Sequence, residues 1–348
     1  MTPVPIALVG CGAVARLFYA PALKELERRG EVKVVAVCDP AESARAALAM
    51  EFPGARACAA IGEAFAEARV AIVASPPRWH REQAEAAFAA GLDVLCEKPL
   101  AASAADAAAM CAAATRAGRL LAAGHYKRFF PTHQWIKAAA TGATPLGALR
   151  RIEIAEGGKF SWPAASASFF RRSETPGGVL LDIGVHALDL LRWWLGEPAD
   201  FSYEDDALGG LEANGLLRAT WSGGCAARVR LSRDWATEDA YRFTFEHGEV
   251  RLRVNDANHL ELTGAGLPGA LVAAVKDGAT NPQAFILQLR DVVTAVREGR
   301  PPMVSGEDGA AALHWVEACY ARRRAMALPW LGAEEQASAA ALAGRGAA

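Results

Sequence analysis

The sequence predicts an α/β protein in two parts: a helix-layered parallel sheet, then an α+β part built on a mostly antiparallel sheet. Three observations carry this. Residues 1 to about 125 alternate short apolar runs with helical stretches, the rhythm of parallel strands covered on both faces. From about residue 147 the segments become short and strand-like, and part of them alternate polar with apolar, as a sheet with one packed face does. A length of 348 residues suits two domains better than one. The expected division is 1–125, then 126–330, with 331–348 an Ala- and Gly-rich tail expected to be poorly ordered.

In chain order, Ile6–Val9 is apolar, β-capable and followed by glycine. A helix is predicted from about Val14 to Arg29, stopped by Gly30. Strand Val32–Cys38 and helix Glu42–Phe52 follow, then strand Val70–Ala74, stopped by Ser75-Pro76-Pro77. Helix Arg81–Ala90 ends at Gly91, and strand Asp93–Cys96 closes on Glu97-Lys98-Pro99. An alanine-rich helix, Ser103–Ala117, leads to strand Leu120–Ala123. In the second part, strands are predicted at Leu149–Ala155, Leu216–Trp221, Ala226–Leu231, Tyr241–Glu246 and Val250–Val254. A helix over Asp182–Leu195, ended by Gly196, interrupts them, and helices Gln283–Glu298 and Gly309–Met326 close the series.

Bulk properties narrow the function. A formal net charge of −2 gives no electrostatic reason to expect nucleic acid or an anionic membrane as partner. No apolar run reaches the length of a membrane span, and no signal peptide is evident before the first strand. The seven cysteines are odd in number and none are at C-x-x-C spacing, which fits a reducing, cytoplasmic setting and argues against a zinc site.

Gly10-Cys11-Gly12-Ala13-Val14-Ala15 lies between a strand and a helix, where a pyrophosphate can be cradled. Gly10 permits the tight turn, Gly12 lets backbone approach phosphate, and Ala15 lets the helix pack on the sheet. Asp39 ends the second strand, where a carboxylate accepts bonds from the adenosine ribose and repels a 2′-phosphate. The expected cofactor is therefore NAD, with NADP left open. Ser75 and Pro76 are expected to wall it, and His80, which opens the next helix, is either a contact or a capping residue.

Lys98 follows the strand ending at Cys96, at the sheet edge where ligands collect. Taken alone, Glu97-Lys98-Pro99 is a surface lysine in a loop; in a cleft, it is a positive charge for a substrate oxygen, with Glu97 to orient it. Asp182 and His186 are four apart, so a helix presents both on one face, and Gly177-Gly178 let the chain turn tightly into it. An imidazole removes a hydroxyl proton near neutral pH and a carboxylate holds it. Asp189 is a possible second partner. A capping pair, or a metal site, are the other uses of such spacing; no third ligand suggests a metal. Arg128 and Lys127, after the last strand of the first part, are contacts for substrate hydroxyls or the cofactor, or only residues of a hinge between the parts. Trp162, Phe169, Phe170, Arg171, Arg172 and Trp235 could line a sugar pocket or simply pack.

Taken in order, Gly10-x-Gly12-x-x-Ala15, Asp39, Ser75-Pro76-Pro77-x-x-His80, Glu97-Lys98-Pro99 and Gly177-Gly178-x-Leu180-x-Asp182-x-Gly184-x-His186-x-x-Asp189 resemble the Gfo/Idh/MocA oxidoreductases. The resemblance extends to about residue 328. It implies an N-terminal Rossmann domain and a C-terminal α+β domain with a large open sheet that joins subunits into a homodimer or homotetramer. It also implies catalysis by Lys98, Asp182 and His186, while Lys127-Arg128 stands where the family has an arginine pair; from the residues, Glu97 and Lys98 are expected at the cofactor, and Lys98, Arg128, Asp182 and His186 at the substrate. The expected activity is NAD(P)-dependent hydride transfer at a secondary alcohol of a sugar, cyclitol or related polyol. A redox-neutral NAD-dependent glycosidase and a non-catalytic dinucleotide-binding protein are the alternatives.

Overall fold

The first apolar run, Val4–Val9 (β1), is buried along nearly all its length and pairs in parallel on both sides. Strands β2 (Val32–Cys38), β3 (Arg56–Cys58), β4 (Val70–Val73), β5 (Asp93–Cys96) and β6 (Leu121–Ala123) complete a parallel sheet in the order β3-β2-β1-β4-β5-β6. The order reverses between β1 and β4, and that break opens a crevice beyond the strand ends. In this computed structural model the described residues are 2–142, 144–163, 170–172, 174–264, 266–275, 281–327 and 332–345.

The helix after β1 begins with a π-turn at Ala15–Tyr19 and continues as α1, Ala20–Arg28. Helices α2 (Glu42–Glu51), α3 (Ile61–Phe65), α4 (His80–Ala89) and α5 (Ala104–Ala117) follow. The short β3 and α3 were not anticipated, because neither carries a sustained apolar period. Helix α5 starts at Ser103, whose hydroxyl accepts from the Asp106 amide at 3.1 Å, and stops at Gly118 in the left-handed region.

The second sheet is mixed. After α6 (Pro131–Thr141), which has proline in its first turn, come β7 (Leu149–Gly157) and a π-turn at Leu180–Gly184. That turn feeds α7 (Val185–Leu195). Strands β8 (Asp200–Asp205), β9 (Asn214–Thr220), β10 (Ala226–Ser232), β11 (Ala240–Phe245), β12 (Gly248–Arg253), β13 (His259–Gly264) and β14 (Leu271–Ala274) follow. Two helices, α8 (Asn281–Glu298) and α9 (Gly306–Ala321), precede β15 (Arg323–Ala325). The nine strands run β14-β13-β12-β11-β7-β10-β9-β8-β15; β7–β10 and β8–β15 pair in parallel and the rest antiparallel. The inward residues Ile152, Ile154, Leu217, Val229, Leu231, Tyr241 and Phe243 are buried, which is the alternation seen in the sequence.

One expectation is corrected here, the extent of the helix ahead of β15. The last helix does not run to Met326: Arg323 forms an ion pair with Asp205 at 2.7 Å and its segment joins the sheet beside β8. The tail beyond Gly332 forms α10 (Ala333–Arg345), as the helix propensity of alanine and Glu334 and Glu335 in the first turn favour.

The chain divides into two units. One is mainly Met1–Phe129 with Asn281–Leu313; the other is mainly Phe130–Trp162, Ser168–Thr280 and His314–Ala348. In the first, Phe285, Leu289, Val292 and Val293 of α8 join Leu8, Tyr19, Leu23 and Leu26 in one apolar cluster.

Candidate active site

Gly10 takes φ +91°, and a Cβ there would collide with the Ala74 and Ser75 backbone across the β1/β4 crevice. Gly10 is thus required twice, by its conformation and by the close approach. A Cβ on Gly12 would meet nothing within 4 Å, so open space faces this turn. Helical amides follow immediately, with Arg16 already donating to the Gly12 carbonyl. Space, helix start and small residues fit a dinucleotide pyrophosphate. Asp39 stands beside them: one carboxylate oxygen accepts from the Cys11 amide and the other from the Ala41 amide, both at 2.8 Å. The Cys11 thiol is pushed up to about 12 by burial, so it stays a packing group in this turn.

Lys98 lies just past β5 on the same sheet edge, partly exposed, and the Lys98-Pro99 bond is cis. Glu97, expected at the cofactor, is buried. Tyr19 donates to its Oε1 at 2.7 Å, and the Lys98 amide to its Oε2 at 3.1 Å. Burial pushes its carboxyl up, against the opposing pull of the Tyr19 bond. His80, also expected at the cofactor, is fully buried as well. Its Nε2 lies 2.7 Å from the Ser75 carbonyl and its Nδ1 3.1 Å from that of Pro99. It therefore ties the Ser75 loop to the Lys98-Pro99 turn through backbone. Both side chains turn inward because strand-end loops need internal partners for their carbonyls and amides. Ser75 is partly exposed and bonded to Gln83, and Pro76 is exposed.

Arg128 is a third inward residue. It sits in a 3₁₀ turn at Tyr126–Phe129 and pairs with Asp308 at 3.2 Å, with its side chain almost wholly buried.

In the second unit, Asp182 lies in the π-turn and His186 in the first turn of α7, so the four-residue spacing spans a change of helical pitch. Asp182 is partly exposed and accepts from Arg233 Nη2 at 2.7 Å. His186 is 5% and Asp189 1% exposed. Gly177 and Gly178 do not turn through a positive φ, as a tight turn would suggest. They are small because a Cβ would strike the Tyr320 hydroxyl at one and the Glu212 backbone at the other. Arg233 and Glu212 were missed from sequence; they lie 51 and 34 residues from their partners and belong to no local motif. Of the expected pocket-lining aromatics, Phe170 and Trp235 are exposed, and Phe169 lies outside the described residues.

A glycine turn at the crevice of a parallel sheet, a carboxylate at the end of β2 and a lysine past β5 define a dinucleotide-dependent oxidoreductase. Residues 4–125 match the family model for the NAD-binding Rossmann fold of the GFO/IDH/MocA oxidoreductases, and 137–251 the model for a C-terminal domain of the same family. The chain belongs to this family, and its N-terminal unit is an NAD-binding Rossmann domain. It is similar to D-glucoside 3-dehydrogenase of Escherichia coli, 31% identical over 57% of this chain and 56% of that protein, so it spans about half of that relative's length. It is also similar to the rhizopine catabolism protein MocA of Rhizobium meliloti, 28% identical over 91% of this chain and 94% of that one. Among solved structures, GenD2 from gentamicin A biosynthesis, in complex with NAD, superposes with a TM-score of 0.77 and 25% identity, covering 92% of this chain and 94% of that one. Among the described residues no helix is long and apolar enough to cross a membrane.

Proposed function

We propose that this protein oxidises a secondary alcohol of a sugar, cyclitol or related polyol, or reduces the corresponding ketone, with Lys98, Asp182 and His186 as the catalytic residues. The observation that carries the proposal is Lys98, partly exposed beyond β5 on the edge that also holds the Gly10–Val14 turn. When bound, NAD supplies the acceptor for the hydride leaving the carbinol carbon. His186 takes the hydroxyl proton, and Lys98 stabilises the oxygen as it gains negative charge. Asp182, paired with Arg233, orients the site and stabilises the imidazolium that forms. Dehydrogenases of glucosides and inositol among the relatives support a polyhydroxylated substrate.

The proposal places the protein in the cytoplasm, supported by seven free cysteines, six of them buried. It also includes assembly of a homodimer or homotetramer through the nine-stranded sheet, supported by exposed Leu271 and Val272 on edge strand β14.

The test is a panel of aldoses, alditols and cyclitols with NAD⁺ or NADP⁺, followed at the reduced-nicotinamide absorbance. On the compound turned over best, His186→Ala and Lys98→Met are expected to lower kcat by about 10²–10⁴-fold, with NAD⁺ binding little changed. Turnover of both variants at the unmodified rate overturns the assignment.

A further inference from the structure

We propose that Glu212 and Arg233 grip the segment carrying Asp182 and His186 at two points and act as positioning residues for the reaction. The inference rests on the functional reading above. Both come from the same end of one antiparallel pair. Glu212 precedes β9, Arg233 follows β10, and the Arg233 amide donates to the carbonyl of Ala213 at 2.9 Å.

The start of a helical segment leaves amides without internal acceptors. Here three in a row go to one residue. The Gly178 and Leu180 amides donate to Glu212 Oε1 at 3.0 and 3.1 Å, and the Val179 amide donates to the Glu212 carbonyl at 3.0 Å. The same Oε1 accepts from the Tyr320 hydroxyl at 2.7 Å, and Arg323 Nη2 lies 3.4 Å from Oε2. The carboxylate is almost wholly buried, and these donors solvate it, with Arg323 shared between it and Asp205. Gly177 and Gly178 are what the approach demands: any Cβ there would push Tyr320 or the Glu212 backbone away.

The second point is one helical turn further on. Arg233 Nη2 meets Asp182 Oδ2 at 2.7 Å, with its guanidinium 5.4 Å from the centre of the Phe160 ring. The charges are arranged in the only workable order: an acid faces the amides and a base faces the carboxylate. Swapping them would leave both ends unpaired. Asp182 is thereby hydrogen-bonded to a cation, and proton removal is the role proposed for His186.

The test uses the full chain with NAD⁺ and the panel compound turned over best. Arg233→Gln and Glu212→Gln are expected to lower kcat about tenfold or more, with the dissociation constant for NAD⁺ within twofold of wild type. In Arg233→Gln the acidic limb of the kcat/KM profile moves to higher pH, because an unneutralised Asp182 favours the imidazolium. Arg233→Lys restores part of the rate. Amide exchange at residues 178–182 rises about tenfold in both Gln variants, a readout that needs no substrate. Wild-type kcat and pH limb in both variants, even with a lowered melting temperature, overturn the proposal, as does unchanged exchange at these amides. Full turnover by His186→Ala and Lys98→Met instead overturns the underlying reading, and the exchange measurement still decides the grip.

Discussion

Asp39 shows how far a single residue can be read. Its place at the end of β2 was legible from the strand pattern, and its charge is the ground for the proposed ribose role. Its bond to the Cys11 amide was not, because that contact crosses 28 residues. Asp39→Ala is expected to lower the ratio of kcat/KM with NAD⁺ to that with NADP⁺ by about tenfold or more, since a charged acceptor is worth about 1.5–3 kcal/mol and its loss also removes repulsion of the 2′-phosphate. Initial rates with the two cofactors measure this; an unchanged ratio refutes the role. Lys98, Asp182 and His186 are proposed from the order in which their neighbours stand in the sequence, and the positions of all three at element ends follow from the strand and helix pattern. The inward partners of Glu97, His80 and Arg128, namely Tyr19, two loop carbonyls and Asp308, were not legible, because those contacts are tertiary.

At the scale of elements, buried parallel strands announced themselves as apolar runs, while β8, β13 and β15 did not. The last is held by Arg323 against Asp205, a contact that no periodicity encodes. Caps were readable. Ser103→Ala is expected to cost about 1 kcal/mol through the lost bond to the Asp106 amide, seen as a lower urea midpoint at unchanged slope. Between elements, Arg290 of α8 pairs with Glu31 ahead of β2, Nε to Oε2 at 2.9 Å. The hydrogen bond from Arg290 holds the Glu31 carboxyl below its ordinary value of 4.5. The unfolded chain therefore takes up this proton first as pH falls. The contribution is complete above about 4.5 and is lost as pH drops through the folded value. Glu31→Gln is expected to remove this part of the acid destabilisation; urea melts between pH 6 and pH 3.5 check it. The effect is modest, since both side chains are partly solvated.

For the molecule as a whole, the sequence showed two kinds of texture and where they change, but not that the chain comes back. Helix α8 looked like a late appendage of the second part. In the structure it supplies Phe285, Leu289, Val292 and Val293 to the nucleotide-binding unit, and Gln288 reaches the Tyr19 hydroxyl at 3.3 Å. Phe285 also touches the rings of Phe18, Tyr19 and Tyr126. Contacts spanning 260 residues leave no local trace. A fragment of residues 1–142 is accordingly expected to lack a cooperative thermal transition and to bind NAD⁺ poorly; adding a peptide of residues 281–313 should restore part of both. A sharp melt of the fragment alone refutes this.

The same late return imposes a timetable on biosynthesis. The ribosome finishes the six strands of the nucleotide sheet when fewer than half of the residues have emerged, yet the helix that covers their apolar flank is still untranslated. The nascent sheet must wait, its aromatic side chains uncovered, while some 150 further residues are polymerised, and over that interval its apolar flank is open to wrong contacts.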